Sequence, residues 1–250
     1  MGKYTFLTIY DHRNDTVFTR LSAGDGRILM KQTKRTNTNV HAQERRLHET
    51  ITDFAKERNM PQTLASLEFA LQHHKGQYRS GGDHLPYICH PMTVAVQAIA
   101  LGFDDDGIVA ACLLHDVIED CNVTEQELPV EEDVRLVVRL LTRDRKTGYT
   151  EAGRSKYYSA IAENPAAVIV KLLDRSSNVS DMATGFPYEK IMHYLEETHR
   201  WIYPLFEKAE EYYPEKQAQL LLLKYHMDSI ENTIDRFEEP EKDGKTKETA

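Results

Sequence analysis

Apolar residues recur at helical spacing through most of this chain, and the recurrence predicts a bundle of helices. Leu47, Ile51, Phe54 and Ala55 fall on one face of a first segment. Leu64, Leu67, Ala70, Leu71 and His74 repeat that face after a break at Asn59, Met60 and Pro61. Beyond Pro91 a helix runs through Val94, Ala95, Ala98, Ile99 and Leu101 and stops at Gly102, the residue type that best ends a helix. Asp104, Asp105 and Asp106 then stand where caps are needed, so capping explains this acidic run better than a metal cluster does. The helix they cap carries residues 110–114 and His115-Asp116, and a short one spans residues 133–141. Tyr157, Tyr158 and Ile161 lead to Pro165 and the apolar run 166–173. Two long amphipathic helices, about 188–213 and 214–237, follow the break at Gly185, Phe186 and Pro187. The pattern is that of an all-α domain.

The two ends read differently. Residues 1–40 are rich in β-branched and aromatic types, among them Phe6, Ile9, Tyr10, Val17 and Phe18, with Ala23-Gly24-Asp25-Gly26 as a turn before Ile28. They predict a small β-hairpin or meander, or else an extension without stable order, because a lone hairpin is marginal unless it packs on something. This end is locally basic. Residues 238–250 are charged and are expected to be disordered. The chain thus divides into an extension at 1–40, a helical domain at 41–237 and a tail at 238–250. Its 250 residues, 40% of them hydrophobic, suffice for one substantial helical core.

Chemistry concentrates where apolar segments end. The run Ala110-Ala111-Cys112-Leu113-Leu114 passes directly into His115-Asp116, and Glu119-Asp120 follow about one helical turn later. An imidazole beside a carboxylate offers one nitrogen and one oxygen to a single divalent cation, although a helix leaving the core would read the same way. His90 precedes Pro91 at a helix entrance, as a ligand or as a cap. Asp174 closes the run 166–173, as a ligand or as the partner of Arg175 or a nearby lysine. Taken together, two imidazoles and two carboxylates at the edges of three apolar segments suit a first-row divalent metal with open coordination positions. No thiolate joins them, so a structural zinc site is excluded.

Four blocks carry a resemblance to a known family: His74-Lys75-Gly76-Gln77-Tyr78-Arg79, Pro86-Tyr87-Ile88-Cys89-His90-Pro91, Leu114-His115-Asp116-Val117-Ile118-Glu119-Asp120, and Lys171-Leu172-Leu173-Asp174-Arg175 with Asn178. In this order they resemble the HD superfamily of metal-dependent phosphohydrolases. The finer pattern is similar to the hydrolase domain of the Rel/Spo family, which removes the 3′-pyrophosphate from the alarmone (p)ppGpp. The resemblance covers roughly residues 63–181 and implies an HD-type helical bundle acting as a stand-alone hydrolase in the stringent response. It implies Mn²⁺ held by His90, His115, Asp116 and Asp174, though the sequence does not separate Mn²⁺ from Fe²⁺, Zn²⁺ or Mg²⁺. Glu119 and Asp120 would position a water and move protons. Arg79 and Asn178 would contact the nucleotide, with Lys75 as a further substrate-binding cation. The chain departs from the family in two places: a loop at 80–85 about two residues longer than usual, and Ser176-Ser177-Asn178-Val179-Ser180-Asp181, which puts a carboxylate where a threonine is usual.

Charge narrows the partners. A formal net charge of −9 argues against general nucleic-acid binding. An anionic nucleotide must instead be met by local positive charge, from a metal and from Arg79, Lys75 and Lys171. No secretory leader is expected from the first residues, and the sequence shows no apolar stretch long enough to span a bilayer and no zinc spacing among its three cysteines. A cytoplasmic protein with a small nucleotide substrate and no membrane partner is expected. The charged segment 142–149 either closes over a bound nucleotide or is a plain solvated loop. Two other functions stay open: an HD phosphohydrolase of another nucleotide (an adenosine alarmone, a nucleoside phosphate or NADPH), or a non-catalytic nucleotide-binding regulator. The complete ligand set with Glu119-Asp120 favours an enzyme, since a binder needs only part of it.

Overall fold

The structure is a computed structural model and describes residues 5–11, 16–22, 28–31, 37–79, 85–144 and 146–237. Three strands come first: β1 (Thr5–Asp11), β2 (Thr16–Ser22) and β3 (Ile28–Lys31), paired antiparallel in the order β1-β2-β3. Leu21 of β2 stands opposite Phe6 of β1 and Leu29 of β3, a three-stranded meander as β-branched and aromatic runs favour. The expected turn at 23–26 and the tail at 238–250 lie outside the described residues.

The remainder is helical. Helices α1 (Asn37–Glu57), α2 (Pro61–His73), α3 (Cys89–Ala100), α4 (Asp106–Leu114), α5 (Val117–Asp120) and α6 (Glu132–Leu141) form the first half. Helices α7 (Glu151–Ala162), α8 (Pro165–Gly185), α9 (Tyr188–Glu197), α10 (Tyr203–Tyr212) and α11 (Gln217–Phe237) form the second. α4 is apolar on every side and is buried from Ile108 to Leu114, as a helix with no polar face must be. α2, α3, α6 and α8 surround it. α8 is the second hub, with Ala167–Val170, Leu172 and Leu173 fully buried against α3, α4, α6, α7, α10 and α11. Each valine, isoleucine or leucine among them contributes roughly 1.5–3 kcal/mol on burial. Because α3, α4 and α8 pack together, the residues at their ends are brought to one place.

The acidic run 104–106 is used for structure throughout. Asp105 caps α4 by accepting from Gly107 N at 2.9 Å. Asp106 instead caps the neighbouring α2, accepting from Gln62 N and Thr63 N at 3.1 and 2.8 Å. Asp104 pairs with Arg58 at 3.2 Å.

Two expected helices are interrupted. The 188–213 segment contains a widened, π-type turn at Thr198–Ile202 between α9 and α10. Pro204 accounts for it: proline lacks an N–H to give to the Arg200 carbonyl, and its ring would collide with that carbonyl in a regular α-turn. The second break falls at the chemistry. α4 ends at Leu114, and His115 and Asp116 form a turn before α5 begins at Val117.

Candidate active site

His115 is placed by the C-terminus of α4. Its Nδ1 lies 2.8 Å from Cys112 O, and only a ring N–H can donate to a carbonyl, so Nε2 is left to face the interior. There it approaches Asp116 Oδ2 to 2.9 Å and Asp174 Oδ1 to 3.7 Å. The short approach does not meet hydrogen-bond geometry, and Nε2 is a buried polar atom without a hydrogen-bond partner. His90, on the first turn of α3, hydrogen-bonds Ser177 Oγ of α8 through Nδ1 at 3.1 Å and turns Nε2 toward Asp174 Oδ1 at 3.2 Å and Asp116 Oδ2 at 3.7 Å. The ring is thus a side-chain partner of α8 and not a helix cap. Potential ligand atoms of His90, His115 and Asp174 lie within 4.8 Å of one another, and all three residues are buried. Asp116, the fourth expected ligand, points its Oδ2 at the same spot.

This arrangement fits a divalent cation. Each imidazole has its outer nitrogen fixed by a protein partner, the usual way a ligating histidine is oriented, and each presents its inner nitrogen to two carboxylates. The protonation balance gives the same result. Burial depresses His90, the ordinary effect of a site that disfavours the charged ring. Burial also pushes His115 down, but the Asp116 and Asp174 carboxylates outweigh it and hold that ring well above its ordinary range. Both carboxylates would be raised by burial, yet Lys171 with the two imidazoles holds Asp174 well below the usual range, and His115 does the same for Asp116. The pocket gathers positive charge onto these four groups.

A second layer fixes the carboxylates. Tyr87 OH donates to Asp116 Oδ2 at 2.7 Å, Lys171 Nζ to Asp174 Oδ2 at 2.9 Å and Asn178 Nδ2 to Asp174 Oδ1 at 2.6 Å. Arg79 Nη2 donates in turn to Asn178 Oδ1 at 2.9 Å and Asp181 Oδ2 at 3.1 Å. Arg79 therefore neutralises the unusual Asp181 carboxylate. Asp174 pairs with Lys171, while its neighbour Arg175 turns away to Tyr158 and Glu197.

Glu119 and Asp120 line an open cleft of about 440 Å³ that also exposes Asp116, Asp174, Lys171 and Asn178. Burial raises both carboxylates above their ordinary values. Glu119 accepts from Arg143 N at 3.1 Å. The Arg143 side chain is clamped by Glu197 at 2.8 Å, by Tyr158 OH at 3.1 Å and by the rings of Tyr149 and Tyr157. The segment that follows is a hydrogen-bonded turn, with Asp144 Oδ1 accepting from Lys146 N and Thr147 N and Gly148 N donating to Asp144 O.

Lys75 is not brought to the cleft. Gly76, at φ +82°, reverses the chain so that His74 and Gln77 face each other at 2.7 Å. Lys75 is left exposed, in a different shallow groove beside Glu68 and Gln72. The lysine beside the cluster is Lys171. Tyr87, Arg143 and Glu197 are site residues that the sequence reading did not single out. Tyr87 had a local signal, three residues before His90 at the same helix entrance, whereas Arg143 and Glu197 meet across 54 positions and had none.

No family model matches the chain. It is 33% identical over 142 residues to the mouse guanosine-3′,5′-bis(diphosphate) 3′-pyrophosphohydrolase MESH1, covering 54% of this chain and 79% of that protein. The chain belongs to this pyrophosphohydrolase family. A family member from Aquifex aeolicus is 38% identical over 120 residues, but these cover 46% of this chain and 17% of that much longer protein. A solved structure of a metazoan orthologue of SpoT that hydrolyses ppGpp superposes with a TM-score of 0.52 at 23% identity, over 69% of this chain and 95% of that one. The likeness extends the family's HD fold to the helical body described above. Among the described residues, no helix is long and apolar enough to cross a membrane.

Proposed function

We propose that this chain is a metal-dependent hydrolase that removes the 3′-pyrophosphate of guanosine alarmones (p)ppGpp, giving GDP or GTP and pyrophosphate. The observation that carries the reading is the convergence of four ligand atoms from α3, the α4–α5 turn and α8, beside two carboxylates that burial has made more basic. The family membership supplies the substrate class. The helical domain, residues 41–237, would be the whole catalytic unit.

His90, His115, Asp116 and Asp174 would hold one Mn²⁺. A divalent cation bound there supplies Lewis acidity, which acidifies a water and screens the phosphoryl oxygens. Glu119 and Asp120 orient the attacking water and accept its proton, for which their raised basicity suits them. The water oxygen bonds to the 3′-phosphorus as the bond to the ribose 3′-oxygen breaks, and that oxygen leaves with a proton returned from the same pair. Lys171 offers its charge to the transferring phosphates while holding Asp174. Arg79 binds Asn178 and Asp181 through Nη2, and its remaining N–H groups and planar face can serve the nucleotide.

The test is product analysis of purified protein with Mn²⁺ against (p)ppGpp and a panel of guanosine and adenosine nucleotides. Pyrophosphate release from (p)ppGpp with GDP or GTP as co-product is expected. Release of orthophosphate alone, or activity confined to nucleotides without a 3′-pyrophosphate, would overturn the alarmone assignment.

A further inference from the structure

A second cavity, about 360 Å³ in volume, opens beside the catalytic cleft. Lys190, Tyr194 and Glu197 line both, so the two spaces share a wall. The charges in the second cavity are unequally satisfied. Glu197 is taken by Arg143 and Arg175, Glu151 is paired with Arg200, and Glu196 lies 3.9 Å from His193. Every carboxylate there already has a cationic partner or a histidine beside it. Two cations of the lining have no such partner. Arg154 of α7 forms no ion pair among the described residues, and its Nε is buried without a hydrogen-bond partner. The Lys190 ammonium rests 3.6 Å over the Phe186 ring and likewise has no carboxylate. A buried guanidinium nitrogen left unsatisfied is costly unless a ligand completes it, and a guanidinium fork matches phosphate oxygens in geometry and charge.

We propose that this groove is a polyphosphate-binding extension of the cleft, in which Arg154 holds the 5′-phosphates of the nucleotide whose 3′ end lies at the metal ligands. The assignment rests on the proposed function for the identity of the nucleotide, but not for the affinity of the groove for phosphate. Lys190 lines both spaces and Arg154 only the second, so a 5′-phosphate chain long enough to cross the shared wall gains Arg154. Arg154 is thereby a residue that sets specificity by the length of the 5′ chain.

The experiment is isothermal titration of the full chain in Mn²⁺-equilibrated buffer with inorganic tripolyphosphate, GTP and GMP, using wild type, Arg154→Gln and Arg154→Lys. Wild type should bind tripolyphosphate, and should bind GTP more tightly than GMP. Arg154→Gln should weaken tripolyphosphate about tenfold or more and remove the preference for GTP, while Arg154→Lys retains most of both, since a charged hydrogen bond is worth about 1.5–3 kcal/mol. Unchanged tripolyphosphate affinity in Arg154→Gln would refute the groove. Equal weakening of GTP and GMP would make Arg154 structural. Weaker tripolyphosphate with an intact GTP preference would assign the groove to a free polyphosphate and overturn the 5′-chain reading. Alarmone turnover is measured separately: its absence alongside Arg154-dependent tripolyphosphate binding would sink the proposed function and leave the groove standing.

Discussion

Replacing Lys171 by methionine tests whether the site is an electrostatic balance held in place by the fold. Lys171 Nζ lies 2.9 Å from Asp174 Oδ2, and the two side chains are 12% and 9% exposed, so solvent screens the pair very little. Methionine keeps most of the stem's apolar contact and removes only the ammonium. Removing one partner of such a pair typically costs about 3–5 kcal/mol, because the other charge stays buried and uncompensated. Asp174 retains His90 and His115 within 3.7 Å, which places the expected loss near the lower end of that range. In a chain of this size that corresponds to a melting temperature lower by roughly 6–12 °C. The sign of the pH dependence follows from Asp174, whose pKa Lys171 helps to hold well below its ordinary value. A group depressed on folding contributes stability above its unfolded pKa and loses it as pH falls through the folded one. The gap between wild type and variant should therefore be full near neutrality and shrink in acid. The assay is urea unfolding followed by far-ultraviolet circular dichroism at several pH values, in EDTA and again with Mn²⁺. Added Mn²⁺ should recover part of the loss, because a cation among the four ligands offsets the same carboxylate. A loss below about 1 kcal/mol in EDTA, or one that grows as pH falls, would refute this account.

Three further outcomes separate binding from chemistry. Asp116→Ala should abolish retention of divalent metal, measured by elemental analysis after dialysis, while circular dichroism shows the helical fold intact; undiminished metal would remove Asp116 from the ligand set. Glu119→Gln and Asp120→Asn should each keep the metal and lose about 10²–10⁴ in turnover, the usual contribution of proton transfer by a placed side chain; normal rates in both would mean that neither handles protons. Arg79→Ala should raise KM for (p)ppGpp more than it lowers kcat, as expected of a contact made equally in ground and transition states, and the reverse split would place Arg79 in the chemistry.

Much of the fold was legible because its helices carry local instructions. The i, i+4, i+7 spacing at Leu47, Ile51 and Phe54 needs no knowledge of what packs against it, and the chain is helical over that span. Pro61 and Pro165 each stand at the first position of the helix they open. Breaks inside helices were harder. Pro204 was visible in the sequence, but periodicity alone does not separate a widened turn from an unbroken helix. Asp106 capping α2, and not its own helix, depends on α2 and α4 lying side by side, which no local pattern encodes.

The candidate site divides along the same line. His90, His115, Asp116 and Asp174 could be singled out because each stands where an apolar segment ends, and three such ends meet once α3, α4 and α8 pack around a common core. Lys75 lies apart from the cleft for a local reason: it neighbours the buried His74, but Gly76 turns the chain and leaves it on the outer side. Arg143 was unreadable for the opposite reason. Its segment looks like charged surface, yet its guanidinium is enclosed by three tyrosine rings and Glu197, while its backbone N–H reaches Glu119. Burying that arginine is tolerable only because Glu197, held down to about 2 by Arg175 and Arg143 against the upward push of burial, remains a carboxylate across the physiological range. One ion pair far along the sequence thereby holds the peptide that holds Glu119. Residues that bear the chemistry leave a local trace at the ends of apolar runs, whereas residues that position them are defined by partners the chain supplies only after it has folded.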